Sequence, residues 1–433
     1  MMLFFVLLLQ ACEMNVAFKY LSHGDDSIMV VGYDGFHDDV EIPETIDGYT
    51  VEAILLSTFR SSDSLHIPKT VTHAFTFNMD ELYDYEPSDV ELPLIETITV
   101  DDDNPSLFVE DGILYADEGE TLLMSTYSKD SLEFTLPETV RHITPFAFYP
   151  HRGSLNVTFS EESALQTIGI YAFAHKAMDG DLDLPDGLMT IGEGAFKSTL
   201  LDSVHVPESV RNIGQKAFMD IQTEDGLTAT IDASIQTLRT SMFESSNLAS
   251  IDLSDTIRII RGHAFKDSGL DAFTFHEGIT TIGEHAFRGT ELGNVTFPST
   301  ISTIDAYAFS NSGLTRIEFH EDAPIDAVRF DVFSHNDALE YVYLPRTIQS
   351  IASRAFAHNN ALHTVILPRD DEDSPTSVAS ASNPENLPFY RTSNAVPLQI
   401  VVPDAMMEVY LDDQATINLI GDYLTTMSDY EED

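Results

Sequence analysis

The sequence predicts a repeat solenoid, mainly β with short helical turns, in which short parallel strands stack coil upon coil. Three observations predict it. A recurrent pair, most often Ala-Phe, places Phe148, Phe173, Phe196, Phe218, Phe243, Phe265, Phe287, Phe309, Phe333 and Phe356 at spacings of 25, 23, 22, 25, 22, 22, 22, 24 and 23, a period typical of stacked repeats. Five residues before each Phe stands an aliphatic: Ile143, Ile168, Ile191, Ile213, Leu238, Ile260, Ile282, Ile304, Val328 and Ile351. Between these columns runs a stretch such as Leu201, Val204, Val206 and Pro207. Its alternate side chains share one face, as a strand requires, and the proline ends it because it cannot donate to a ladder.

One coil cannot bury its own apolar face, so the coils must stack into one continuous core. Each turns about six apolar side chains inward, each contributing roughly 1.5 to 3 kcal/mol of gross burial before conformational entropy is subtracted. The Phe of one coil is expected to stack on the Phe of the next. The offset from Ile213 to Ala217-Phe218 fits a helical or 3₁₀ turn at that corner.

Along the chain, six segments are expected. Residues 1–12 read as a lipoprotein-like signal, 13–60 as a first coil or cap, and 61–130 as irregular coils with an acidic insertion and a hairpin. Residues 131–368 hold the regular coils, 369–394 an acidic and polar loop, and 395–433 a final strand, a helical cap and an acidic tail. The signal reading rests on Met1 to Ala11, almost wholly apolar, ending in Leu9-Gln10-Ala11-Cys12. The run is too short to span a bilayer as a helix. Cys12 is the sole cysteine, so no intrachain disulfide is possible, and it stands where a lipoprotein carries its lipid. No Lys or Arg precedes the run, which departs from the usual signal and leaves the true start open. A secretory signal cut nearby, or a buried apolar terminus, is the alternative.

The unit Ile-Gly-x-x-Ala-Phe, seen at Ile191 to Phe196, Ile213 to Phe218 and Ile282 to Phe287, resembles the BspA-like leucine-rich-repeat family of bacterial and protist surface proteins. The opening resembles the family's first coil, with Val31-Gly32-Tyr33, Val40-Glu41-Ile42-Pro43 and Ile46-Asp47-Gly48-Tyr49-Thr50-Val51. Ile98-Thr99-Val100 to Tyr115, with the turn signal Asp111-Gly112, resembles its hairpin insertion. Ile400-Val401-Val402-Pro403, followed by a helix over Ala405 to Leu411, resembles its cap.

Two departures carry expectations. Where such repeats usually place Asn or Cys, this chain has Thr139, Gly187, Ser209, Thr256, Gly278, Thr300 and Thr347, so the inner ladder is expected to be weaker. The coil at Ile67 to Val71 reaches Phe75 early, and irregular structure is expected from Thr76 to Glu91. A loop is expected over Asp370 to Asn386.

The formal charge of -51, from 72 acidic and 21 basic residues of which seven are lysine, excludes the basic patch that nucleic acid needs. It suits a halophilic or marine source, where salt screens self-repulsion. The acidic runs Asp101 to Asp103 and Asp370 to Asp373 lack the spacing that wraps a calcium ion and read as solvated loops.

No catalytic signature appears, so no enzyme activity and no cofactor are expected. His276-Glu277 and His320-Glu321 are half of a zinc motif without the second histidine. His263 and His285 share one place in consecutive coils, but a stable metal site wants more than two ligands. Asn156-Val157-Thr158 and Asn294-Val295-Thr296 fit a sequon that matters only in a eukaryotic secretory pathway.

Outward side chains of successive strands form a grid: Thr135, Thr158, Asp183, His205, Thr230, Asp252, Thr274, Thr296, Glu318, Tyr343 and Ile366. Towards the C-terminus, Arg316, Glu318, Tyr341, Tyr343, Thr364 and Ile366 are expected to lie together, outward and exposed, as aromatics and arginine do in binding hot spots. The resemblance implies a non-catalytic recognition or adhesion module, monomeric, on the extracellular face of the envelope and lipid-anchored, or else secreted. Its partner would be a protein, matrix component or glycan, and the membrane would be met only through the lipid. A passive spacer is the second reading and a metal-dependent enzyme the third.

Overall fold

The computed structural model describes residues 18–35, 38–59, 62–76, 94–128, 130–370, 376–380, 383–391, 397–412 and 423–430. They fall into two compact units, each a stack of parallel strands with very little helix. The first unit holds the described residues up to Leu201 together with Ser209–Ala217, and the second holds Asp202–Glu208 and the described residues from Phe218 onward.

The first unit opens with Phe18–Ser22 antiparallel to Ser27–Tyr33, which pairs in parallel with Tyr49–Leu55. Asp47 and Gly48 join Thr45–Ile46 to Tyr49–Leu55 with φ of 53° and 86°. Positive φ at both positions matches the twist of a tight hairpin, and Gly adopts it without a Cβ clash. The hairpin expected at Asp111-Gly112 forms, with Phe108–Glu110 antiparallel to Ile113–Ala116. His73–Phe75 pairs with Tyr49–Leu55 and leaves Phe75 exposed. Residues 77–93 lie outside the described residues, as do 1–17. The regular coils follow, in a parallel ladder of Thr121–Ser125, His142–Ile143, Thr167–Ile168, Thr190–Ile191 and Asn212–Ile213. Phe148, Phe173 and Phe196 stack at 4.9 and 5.3 Å between ring centres, and all are fully buried.

The second unit continues the same plan. Its phenylalanines stack from Phe218 through Phe243, Phe265, Phe287, Phe309, Phe333 and Phe356 at 5.1 to 5.7 Å, and Phe389 adds a further ring beyond the column read from sequence. The strand face runs from Asn294–Phe297 through Arg316–Phe319, Tyr341–Tyr343, Thr364–Ile366 and Gln399–Val402. Gln399–Val402 is not the last strand, because Leu424–Thr426 pairs with it in parallel. The expected short helix is present as Met407–Asp412, following a 3₁₀ turn at Asp404–Met406.

Three local outcomes differ from the sequence reading. The Phe corner is not helical. The residue two before Phe has positive φ, as at Ser241 (57°), His263 (61°), Asp331 (52°) and Arg354 (59°). Here the N–H of that residue and of the Phe two places on run along the stacking direction: His263 donates to Glu284 at 3.0 Å, and Phe243 donates to Ala264, Phe265 to Ala286 and Phe287 to Ala308, each at 2.8 Å. The corner is a third inter-coil ladder.

The hydroxyls that replace the usual Asn also tie coils together. Ser209 donates to the Leu188 carbonyl at 2.7 Å, Thr256 to Ile235 at 2.7 Å and Thr300 to Ile279 at 2.8 Å. A second polar column, three residues beyond Phe, was not read from sequence. Ser246, Ser268, Thr290, Ser312, Asn336 and Asn359 are all buried there. Ser246 donates to the Phe218 carbonyl at 2.6 Å, and Ser312 to that of Phe287 at 2.8 Å.

Finally, the coil beginning at Leu270 does not repeat its neighbours on the strand face. Leu227–Ile231 pairs with Leu248–Leu253, but residues 271–276 form no strand, and pairing resumes only from Asn294–Phe297. Phe273 and Phe275 occupy the inward places that hold Ala229 and Ile231, or Val295 and Phe297, in other coils. Phe273 meets Phe265 at 5.4 Å and Phe287 at 5.0 Å, and Phe275 meets Phe287 at 5.3 Å and Phe297 at 5.1 Å. Two rings therefore stand here where other coils place one ring or none in these two inward positions.

Candidate functional site

The six residues singled out at the C-terminal end of the strand face come together in two rows. Arg316 pairs with Tyr341 and Tyr341 with Thr364, while Glu318 pairs with Tyr343 and Tyr343 with Ile366. Alternation puts Ile317, Val342 and Val365 inward, each fully buried, so the six side chains occupy the opposite, outer side.

Exposure on that side differs from the expectation. Tyr341 and Ile366 are each only 8% exposed and Thr364 is 3% exposed. Tyr341, Ile366 and Val401 form a small apolar cluster of their own, with Tyr343 and Tyr430 packed against it. The Arg316 guanidinium lies over the Tyr341 ring at 3.6 Å, and its Nε donates to Glu318 Oε1 at 2.7 Å. The physical reason is cover from distant sequence: Tyr430, beyond the added Leu424–Thr426 strand, reaches this outer side. Arg316 and Glu318 keep about 40% of their side chains exposed, at 40% and 41%. Tyr343 is half-buried, and burial, assisted by Glu321 and opposed by Arg346, raises its phenol above the ordinary range. The presented surface is therefore Arg316, Glu318 and the edge of Tyr343, with Tyr341 beneath as support.

Elsewhere the grid is more uniform. Thr135 and Thr158 share a hydrogen bond at 2.9 Å between hydroxyls, and His205 Nε2 meets Asp232 at 3.1 Å. The acidic run at Asp101 is engaged by protein groups. Asp101 accepts from the Lys69 N–H at 2.9 Å and contacts His66 at 3.1 Å, and Asp103 faces Lys69 at 3.6 Å. Residues 371–375 and Cys12 lie outside the described residues.

The histidines noted in sequence do not gather ligands around a point. The His263 and His285 rings lie 5.1 Å apart, tilted by 34°, and His285 stacks on Tyr307 at 4.7 Å. Burial, with His263 next in importance, lowers the His285 pKa. His276 Nδ1 meets the Glu277 carbonyl at 3.0 Å, and His320 Nδ1 accepts from the Asp322 N–H at 3.2 Å. Among the described residues no group of three or more His, Cys, Asp or Glu is placed to hold a metal ion. Beside this column a cavity of about 560 Å³ is lined by His285, Tyr307, Asp331 and Arg354 among others. Asp331, 2% exposed, is held by Arg354 Nε at 2.8 Å. The sequence reading missed this cavity, because periodicity marks the column two residues before each Phe but neither its conformation nor its polarity. In the first unit, Lys176 is buried and donates to the carbonyls of His151 and Tyr149, and burial lowers its pKa to about 7.

Short parallel strands, a proline or hydroxyl turn, an aliphatic bridge and a stacked Phe, repeated every 22 to 25 residues, define a leucine-rich-repeat solenoid. The family model for the BspA type leucine rich repeat region matches residues 125–225, 166–292 and 259–378 in six copies, and the chain belongs to that family. Similar solved structures include a leucine rich cell surface protein from Faecalibacterium prausnitzii, 19% identical over 93% of this chain and 95% of that chain, with a TM-score of 0.44. A leucine-rich repeat protein from Bacteroides ovatus is 16% identical over 97% of this chain and 100% of that chain, with a TM-score of 0.42. The pneumococcal vaccine antigen PcpA is 15% identical over 97% of this chain and 96% of that chain, with a TM-score of 0.44. No curated protein matches the chain.

Proposed function

We propose that this chain is a non-catalytic recognition or adhesion module on the outer face of a cell, whose partner is a protein, matrix component or glycan. One observation carries the reading: Arg316, Glu318 and Tyr343 are held in register on adjacent strands, with Tyr341 and Ile366 packed beneath as a rigid base. A planar cation and an aromatic edge on a preorganised sheet offer contact area at small entropic cost. Family membership supports an interaction role of this kind.

The test is binding to panels of matrix proteins and glycans by the wild-type chain and by Arg316→Ala with Tyr343→Ala. Saturable wild-type binding should weaken at least about tenfold in the double variant, as loss of a hot spot implies. The melting temperature should fall only slightly, because Tyr341 is left in place. Binding should also persist at moderate salt, since a chain this acidic gains no general attraction to acidic surfaces. Undiminished binding by the variant would remove the site from this face. Wild-type binding to nothing in either panel would favour a spacer that holds distance only.

Lipid on Cys12 would anchor such a module, and we place the chain at the envelope on that ground. Cys12→Ser should shift the protein from the membrane fraction to the medium, or leave it unprocessed. Equal fractionation of variant and wild type, with no lipid on either, would remove the anchor from the proposal.

A further inference from the structure

We propose that the break in the strand ladder at residues 271–276 is a slot for an extended basic peptide, which completes the ladder by pairing with the open edge of Leu248–Leu253. Leu248–Leu253 is the terminal strand of its sheet, bonded to Leu227–Ile231 on one side only. Across the break, no hydrogen bond is made by the backbone N–H groups of residues 271–276 among the described residues. Backbone donors and acceptors of the next coil normally satisfy such an edge, so the edge of Leu248–Leu253 and the N–H groups of 271–276 are left for water or another chain to meet.

The space between them is a cleft of about 430 Å³, within the range of about 300 to 1,000 Å³ usual for ligand sites. Its floor is apolar. Ile251 and Leu253, inward residues of their strand, are half-buried, whereas Ala229 and Ile231 in the preceding strand are 1% and 0% exposed. Phe273 is half-buried as well. Its rim is acidic, formed by Asp252, Asp255 and Asp271, all exposed. A strand added here would point alternate side chains to the floor and to the rim. That pattern fits apolar side chains alternating with lysine or arginine, the backbone supplying affinity and the alternation supplying selectivity.

Charge decides between occupants. A second copy of this chain carries -51 and would bring repulsion to an acidic rim, whereas a basic segment of a partner is attracted. The inference adds a second contact site, with its own partner class, to the recognition reading above; it rests on that reading but uses none of Arg316, Tyr341 or Tyr343.

The test uses the full chain and three short blocked peptides: alternating valine and lysine, the same peptide N-methylated at alternate residues, and alternating valine and glutamate. The first should bind, and amide exchange should slow at 248–253 and 271–276. N-methylation removes the donors that pair with the edge and should weaken binding at least about tenfold. Asp252→Lys with Asp271→Lys, both exposed positions, should weaken it by a similar factor, and the glutamate peptide should not bind. Equal binding by the N-methylated peptide, or binding with no protection at those amides, would show general attraction to an acidic surface and overturn the slot. Failure of the first peptide to bind would overturn it too. The Arg316→Ala with Tyr343→Ala variant should bind the peptide as the wild type does, so loss of the slot and loss of the outer-face site are read separately.

Discussion

Replacing Phe287 with alanine should lower the free energy of unfolding by about 3 to 5 kcal/mol, whereas Thr274→Ala should cost well under about 1 kcal/mol. Phe287 is fully buried, with Phe265 and Phe309 on its two faces at 5.1 Å each, and with Phe273 and Phe275 against it at 5.0 and 5.3 Å. Removing it deletes one layer of the stack and leaves a cavity that flanking coils, pinned by the Phe265 to Ala286 and Phe287 to Ala308 hydrogen bonds, can collapse into only in part. Because each coil is stabilised chiefly by its neighbours, the loss should also loosen the adjoining coils, seen as faster amide exchange at Phe265 and Phe309. Thr274 is exposed, in the segment that forms no strand, and touches neither ladder nor core. Denaturant melts showing similar losses for the two variants would sink the assignment of Phe287 to the core.

The same contrast shows what the sequence made legible. Regular spacing identified the Phe stack, the aliphatic bridge column and the outward rows, because each is a local pattern repeated in register. The Asp111-Gly112 hairpin was legible for a different reason, since few dipeptides accept positive φ at both turn positions. The Phe corner was not legible as a ladder, because the positive φ there is borne by Ser241, His263, Asp331 and Arg354, residues whose types do not announce it. Non-glycine residues hold that conformation only when surroundings over-determine it, and here the inter-coil hydrogen bonds do so. The break at 271–276 hid behind a correct pattern: Phe273 and Phe275 alternate as a strand should, and alternation says nothing of whether the neighbouring strand pairs. Tyr341 illustrates a third limit. Alternation assigned the side of the strand on which it lies, but whether that side is open depends on Arg316 beside it and on Tyr430, about ninety residues away in the chain.

The buried polar column leads to the other large effect. Asn336→Ala should cost about 3 to 5 kcal/mol, because it leaves several buried backbone groups without a partner at about 1 to 3 kcal/mol each, partly relieved by relaxation. Asn336 is 1% exposed. Its Oδ1 accepts from the Ser312 and Leu314 N–H groups at 2.8 and 3.2 Å, and its Nδ2 donates to the Phe309 and Phe333 carbonyls, both at 3.0 Å. Its own backbone N–H is received by Asn359 Oδ1 at 2.7 Å, so the residue is tied to the preceding coil by its side chain and to the next by its backbone. The volume lost to alanine is small; the orphaned groups dominate. Asn336→Ser should recover about half of the loss, since Ser312 in the same column holds a carbonyl of the preceding coil with one hydroxyl. Urea melts of the two variants, with amide exchange followed at Ser312 and Leu314, measure both effects. If Asn336→Ala melts as the wild type does, or if those two amides keep their protection, the column is filler and the coils are held by the strand ladders and the Phe stack alone.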